Sequence, residues 1–173
     1  RLMIGWSGCP DATAENPTVA RGWQCALTVP RELSMRDGKL CQQPAHEIER
    51  MRGDCVRTTG GETVEEPGRL FDLVVSCEGA KMVELEIRKG VFVRYADGML
   101  TLDMGDEGYG RDQRSIELGE LRDLRVLSDT TMVEIFANGG EAALTSRTYS
   151  SAVPAMALHA EGAASMDFYR LAH

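Results

Sequence analysis

Leu124-Arg125-Val126-Leu127-Ser128-Asp129-Thr130-Thr131-Met132-Val133-Glu134-Ile135-Phe136-Ala137-Asn138-Gly139-Gly140, followed by Leu144-Thr145-Ser146-Arg147-Thr148-Tyr149, reads as three consecutive strands with tight turns. Along Met132 to Ala137, Val133, Ile135 and Ala137 fall on one face of a strand, and Met132, Glu134 and Phe136 fall on the other. Both faces are partly apolar. That pattern suits a strand inside a sandwich that also meets a further layer.

Working outward, short strands recur at regular spacing. They are expected at about 69–78, 81–89, 91–96, 99–104, 114–118, 122–128, 131–137, 142–148, 154–160 and 164–171. Ala96-Asp97-Gly98 separates Phe92-Val93-Arg94-Tyr95 from Met99-Leu100-Thr101-Leu102, and Asp-Gly suits a hairpin turn with positive φ. Asn138-Gly139-Gly140 punctuates the next pair in the same way. Regular short strands with Gly-rich turns and no long amphipathic helix predict an all-β, antiparallel β-sandwich. The polar run from Arg52 to Gly68 is where a linker would fall, so the reading divides the chain at 1–50, 51–68 and 69–173.

Residues 1–50 have a different texture. Leu2-Met3-Ile4-Gly5-Trp6 suits a buried strand, a Gly/Pro/Asn/Thr-rich loop runs from Ser7 to about Arg21, and Trp23 to Val29 suits a strand limited by Pro30. Ser34 to Gln43 reads as a hairpin turning at Arg36-Asp37-Gly38, and Ala45 to Met51 as one or two helical turns or an extended connection. The opening Arg1, already in a strand-like run, suggests a piece of something longer.

Composition excludes several classes. The 173 residues are 43% hydrophobic, enough for a packed core. No apolar run approaches the roughly 18 residues that span a bilayer. The net charge of −8 disfavours nucleic acid and anionic membrane, which need clustered Lys and Arg. Five cysteines, at 9, 25, 41, 55 and 77, form no C-x-x-C pair, and an odd count points to free thiols in a reducing, cytoplasmic setting. His46, His159 and His173 are the only imidazoles and none sits near a Cys pair; His46-Glu47-Ile48-Glu49-Arg50 starts like H-E-x-x-H but ends in Arg. No metal and no cofactor is expected.

Four segments carry a resemblance. Arg1 to Trp6 looks like a strand entering a propeller blade. Gly22-Trp23-Gln24-Cys25-Ala26-Leu27-Thr28-Val29-Pro30-Arg31-Glu32-Leu33 is similar to G-W-x-G-x-L-T-[LV]-P-R-E-L, with Cys25 replacing the usual Gly. Leu40-Cys41-Gln42-Gln43-Pro44 with Glu47-Ile48 is similar to L-x-Q-x-P-x-x-E-[LI], and the opening stretch with Thr145 to Tyr149 completes the set, with Ser150 where Pro is common. Together these resemble glycoside hydrolase family 32, the β-fructosidases: invertases, levanases and sucrose-6-phosphate hydrolases.

The resemblance implies the last strands of a five-bladed β-propeller followed by a jelly-roll or concanavalin-like β-sandwich. It implies a parent enzyme that cleaves terminal β-fructofuranosyl bonds in sucrose, sucrose 6-phosphate or fructans. The family's nucleophile Asp (W-M-N-D-P-N-G), stabiliser (R-D-P) and acid/base Glu (E-C-P) have no counterpart here; Arg111-Asp112-Gln113 and Gly8-Cys9-Pro10 are only superficial echoes. Retaining hydrolysis needs two carboxyl groups roughly 5 Å apart, so no catalytic residue is expected in this chain.

Trp6 is the candidate substrate-binding residue, at a pocket rim where an aromatic face can stack on sugar; a Trp packed between blades competes with that reading. Asp103, Asp106-Glu107 and Glu65-Glu66 read as solvated acids in turns, and Arg31-Glu32 as a salt-bridging corner. Glu134, if drawn inside, needs a cation such as Arg147 or Arg125. Alone, residues 1–50 would expose Leu2, Ile4, Trp6, Leu27 and Val29. They should fold back on the sandwich, form a homo-oligomer through exposed strands, or pair with a missing N-terminal propeller portion. The expected partners are thus that portion and the parent's β-fructoside substrate. The alternative functions are a non-catalytic carbohydrate-binding module and an oligomerisation sandwich.

Overall fold

In the computed structural model the described residues are 1–8 and 16–172. Most of the Ser7–Arg21 loop, with the Cys9-Pro10 echo, and His173 lie outside them. The chain opens with β1 (Leu2–Met3), β2 (Trp6–Ser7), β3 (Ala26–Leu27), β4 (Arg31–Arg36) and β5 (Lys39–Pro44). A 3-10 segment, His46–Met51, leads to β6 (Arg52–Thr59) and β7 (Thr63–Glu65). Then follow β8 (Phe71–Ser76), β9 (Met82–Arg88), β10 (Val91–Ala96), β11 (Met99–Asp103) and β12 (Gln113–Glu117). The rest is β13 (Asp123–Asp129), β14 (Met132–Ala137), β15 (Ala142–Arg147), β16 (Ala155–Ala157), β17 (His159–Glu161) and β18 (Ser165–Leu171).

Two antiparallel sheets form the sandwich, in orders β12-β11-β10-β9-β17 and β15-β14-β13-β8-β18-β6. Their inner faces share one core. Leu73, Val75, Val126, Val133, Ile135, Ala137 and Phe168 from the second sheet meet Val83, Leu85, Ile87, Val93, Leu100 and Leu102 from the first. Val133, Ile135 and Ala137 thus point inward, as the alternation requires, while Met132, Glu134 and Phe136 face out and are still buried. The expected second layer exists. It is the three-stranded sheet β1-β4-β5, with β2 and β3 paired beside it.

The turns follow their residues. Asp37-Gly38 and Asp97-Gly98 each carry two consecutive positive φ values, 47° and 76°, then 51° and 77°, the conformation that the two-residue hairpin demands.

Three expectations need correction. Residues 51–68 are not a bare linker, since β6 is an eight-residue strand pairing with β18 at the edge of the six-stranded sheet, and β7 pairs with β16. The sequence disguises β6 because only its Thr58 is buried; an edge strand facing solvent lacks an apolar stripe. The strand expected at 154–160 is two short strands split at Leu158, with β16 pairing β7 and β17 pairing β9. The strand expected over Trp23 to Val29 contracts to Ala26–Leu27.

Candidate functional site

The described chemistry concentrates where the β4–β5 hairpin lies on the outer face of β14 and β15. Pro30 ends the preceding extended run and places Arg31 at the start of β4. Arg31 is 6% exposed and Glu134, in the middle of β14, is 1% exposed. Arg31 Nη2 donates to Glu134 Oε2 at 2.5 Å and Nε donates to the same oxygen at 3.2 Å. The Val29 backbone N–H donates to Glu134 Oε1 at 2.7 Å. The rest of the guanidinium is also used: Nη2 donates to Thr145 Oγ1 at 2.6 Å and Nη1 to Gln42 Oε1 at 2.9 Å. Its carbon stands 5.1 Å from the Phe136 ring centroid. Burial pushes the Glu134 carboxyl above its ordinary range, and the bonds from Val29 and Arg31 pull it back.

Glu134 is therefore drawn inside and paired, but not with Arg147 or Arg125. Arg125 donates to Asp72, through Nε at 3.0 Å and Nη2 at 2.7 Å, and Arg52 shares that fully buried carboxylate at 2.7 Å. Arg147 is spent on the carbonyls of Thr131 and Gln24, at 3.0 and 3.1 Å. The Arg31-Glu32 corner also divides. Arg31 turns to Glu134, while Glu32 accepts from His46 Nδ1 at 2.7 Å. Nothing in the local sequence signals the Arg31–Glu134 pair, whose members lie 103 positions apart.

A second set of contacts fixes the other end of the hairpin. Arg36 donates to the carbonyls of Asn138 and Gly139, Gln43 Nε2 donates to Gly139 O at 2.7 Å, and Lys39 pairs with Glu141 at 2.8 Å. Gly140, at φ 89°, lies so close that a Cβ there would stand 2.0 Å from Gln42 O. Beneath the hairpin is a cavity of about 280 Å³ between Leu27, Val29 and Ile48 on one side and Leu127 and Met132 on the other, with Glu134 in its wall.

Trp6 pairs with Leu27 across β2 and β3 and is 58% exposed. Leu2, Ile4 and Leu27 are similarly exposed, at 66, 55 and 63%. So the segment folds back on the sandwich through β4, β5 and Val29, yet keeps an open apolar side. Trp23, 43% exposed, lies 5.3 Å from the Arg147 guanidinium carbon. Among the acids, Asp103 bonds Arg94, while Asp106, Glu65 and Glu66 are exposed. Glu32, His46 and Glu47 offer ligand atoms within 4.8 Å of one another, all on exposed side chains. His46 is already engaged by Glu32, which raises its pKa above the ordinary imidazole value.

A three-stranded blade-like sheet pinned to a two-sheet antiparallel sandwich defines the class: an all-β, propeller-and-sandwich protein. Residues 1–44 match the family described as Glycosyl hydrolases family 32 N-terminal domain, and residues 83–171 match Glycosyl hydrolases family 32 C terminal. The chain belongs to glycoside hydrolase family 32. It is 35% identical over 170 residues to the raffinose invertase of Escherichia coli, covering 88% of this chain and 34% of that protein. It is 31% identical over 159 residues to the sucrose-6-phosphate hydrolase of Salmonella typhimurium, covering 86 and 32%. The chain thus spans about a third of the length of these relatives. The structure of sucrose-6-phosphate hydrolase from Lactobacillus gasseri superposes with a TM-score of 0.84 at 21% identity, covering 98% of this chain and 38% of that one. The exo-inulinase from Aspergillus awamori gives 0.78, also at 21% identity, covering 99 and 40%. These two likenesses carry the fold.

Proposed function

We propose that this chain is the closing part of a β-fructofuranosidase, and that its own task is to bind the last propeller strands to the sandwich. The whole enzyme would hydrolyse terminal β-fructofuranosyl bonds in sucrose, sucrose 6-phosphate or fructans. The observation that carries this reading is the Arg31–Glu134 pair. It joins residues on either side of the two family matches, with one partner inside 1–44 and the other inside 83–171.

The physical work of the seam is positional. A buried carboxylate held by a two-nitrogen fork and a backbone N–H fixes both the approach and the tilt of β4 on β14. A blade so fixed presents its other side, with Leu2, Ile4, Trp6 and Leu27, to whatever precedes it. The preceding blades are the proposed occupant, and Trp6 the residue proposed at the rim of the substrate pocket. The carboxyl pair of the retaining mechanism belongs to that preceding part. The thiols of Cys25, Cys41, Cys55 and Cys77 are free, which supports a reducing, cytoplasmic setting.

The test is hydrolysis of sucrose, sucrose 6-phosphate and a short fructan by this chain alone and by this chain joined behind the preceding portion of the Salmonella typhimurium enzyme. The joined enzyme should be active and the chain alone inert. Turnover by the chain alone that survives repurification would overturn the proposal.

A further inference from the structure

Beside the seam, a half-open cavity of about 120 Å³ is walled by Ser7, Gly8, Arg111, Arg114, Ser146 and Arg147, with Thr145 at its edge. It falls below the roughly 300 Å³ from which organic-ligand pockets start, so its size suits a small ion or one end of a larger molecule. Three of its walls are guanidinium groups. Among the described residues none of them pairs with a carboxylate. Arg111 donates to Gly108 O and Asn16 Oδ1, Arg114 to Gln113 O, and Arg147 to Thr131 O and Gln24 O. In a chain with 27 acidic and 19 basic residues, three arginines gathered round one cavity without a counter-ion is a marked departure from the rest of the surface. Elsewhere the arginines pair readily, as Arg31, Arg52, Arg57, Arg94, Arg122 and Arg125 do.

The cavity is built as well as charged. Arg147 is 3% exposed and Ser146 4%. The Nη2 of Arg147 and the Oγ of Ser146 are both buried and have no hydrogen-bond partner. Buried donors left unmade are costly, and such atoms call for an occupant. Arg147 is also held rigidly. Its Nε and Nη1 are tied to backbone carbonyls, and its guanidinium lies 5.3 Å from the Trp23 ring and 5.4 Å from the Tyr149 ring. A fixed planar fork, two more guanidiniums and serine hydroxyls are the donor set that a tetrahedral oxyanion requires.

We propose that this cavity is an anion site for phosphate, either inorganic or as a monoester whose organic part projects through the open side. The proposal is independent of the fructosidase reading, since it rests on the arginine geometry alone.

The experiment is calorimetric titration of the full chain with inorganic phosphate and, separately, with glucose 6-phosphate, at constant ionic strength set with sodium chloride. Saturable binding is expected. Arg114→Gln removes an exposed donor that supports no other part of the fold. It should raise Kd roughly tenfold, the effect of losing a hydrogen bond to a charged group, while the thermal midpoint without phosphate stays in place. Ser146→Ala should weaken binding in the same direction. Tighter binding of glucose 6-phosphate identifies a monoester site, and equal binding identifies the phosphate group alone as the ligand. No saturable heat from either at about 10 mM, or binding that both variants leave unchanged, would overturn the proposal.

Discussion

Arg31 and Glu134, 103 residues apart in sequence, meet through two guanidinium nitrogens on one carboxylate oxygen in the seam between the hairpin and the sandwich. Both are nearly inaccessible to water. Removing one partner strands the other as an uncompensated buried charge. Arg31→Ala and Glu134→Ala should each lower unfolding free energy by about 3–5 kcal/mol, measured by urea denaturation. The joint replacement Arg31→Met with Glu134→Leu should cost much less than the two alanine changes summed, because neither charge is then left alone.

Gly140→Ala tests the close approach of the two layers. The new methyl would collide with the Gln42 carbonyl at a φ of 89° that disfavours any side chain. Backbone against backbone cannot yield as a long side chain would. A loss of at least ~2 kcal/mol is expected by thermal or urea unfolding. The same change at Gly22, which meets nothing within 4 Å, carries only the backbone strain and should cost less.

His46 and Glu32 provide a titration with a definite sign. The hydrogen bond to Glu32 raises the His46 pKa above 6.5, and the same bond lowers that of Glu32. A raised imidazole holds its proton to higher pH in the folded chain than in the unfolded one. Its stabilisation is therefore complete below 6.5 and is lost as pH rises through the raised value. An NMR titration of the His46 ring should show a midpoint above 6.5, and Glu32→Gln should bring it down.

Trp6→Ala separates a binding role from a packing role. With 58% of the residue exposed, the change should alter the stability of this chain by no more than about 0.5 kcal/mol. In the joined enzyme it should raise KM for sucrose if Trp6 lines the pocket rim. An unchanged KM together with a destabilised joined enzyme would instead mark Trp6 as a residue packed between blades.

The sandwich was legible because its signals are local. Period-two alternation put Val133, Ile135 and Ala137 inward, and Asp97-Gly98 declared its own turn. The polar strand β6 was hidden for the opposite reason. Its residues are held by main-chain bonds to β18 while their side chains face water, and composition records side chains only. The partner of Glu134 was hidden by distance. The alternation shows that Glu134 lies on the outer face, but which cation reaches it depends on how β4 docks, and Arg125 and Arg147 are already occupied by Asp72 and by backbone carbonyls. The arginine cavity was hidden for the same reason, since Arg111, Arg114 and Arg147 come together only when the sheets are assembled.

The central claim is that the blade-like segment and the sandwich are joined into one unit through Glu134. Native-state hydrogen exchange at the Val29 amide, which donates to Glu134 Oε1, reads that joint directly. The account predicts that Val29 exchanges as slowly as the core amides of β9 and β10, and that Glu134→Ala speeds it by orders of magnitude while β9 and β10 stay protected. A Val29 amide that exchanges in the unaltered chain as fast as an unstructured peptide would contradict it.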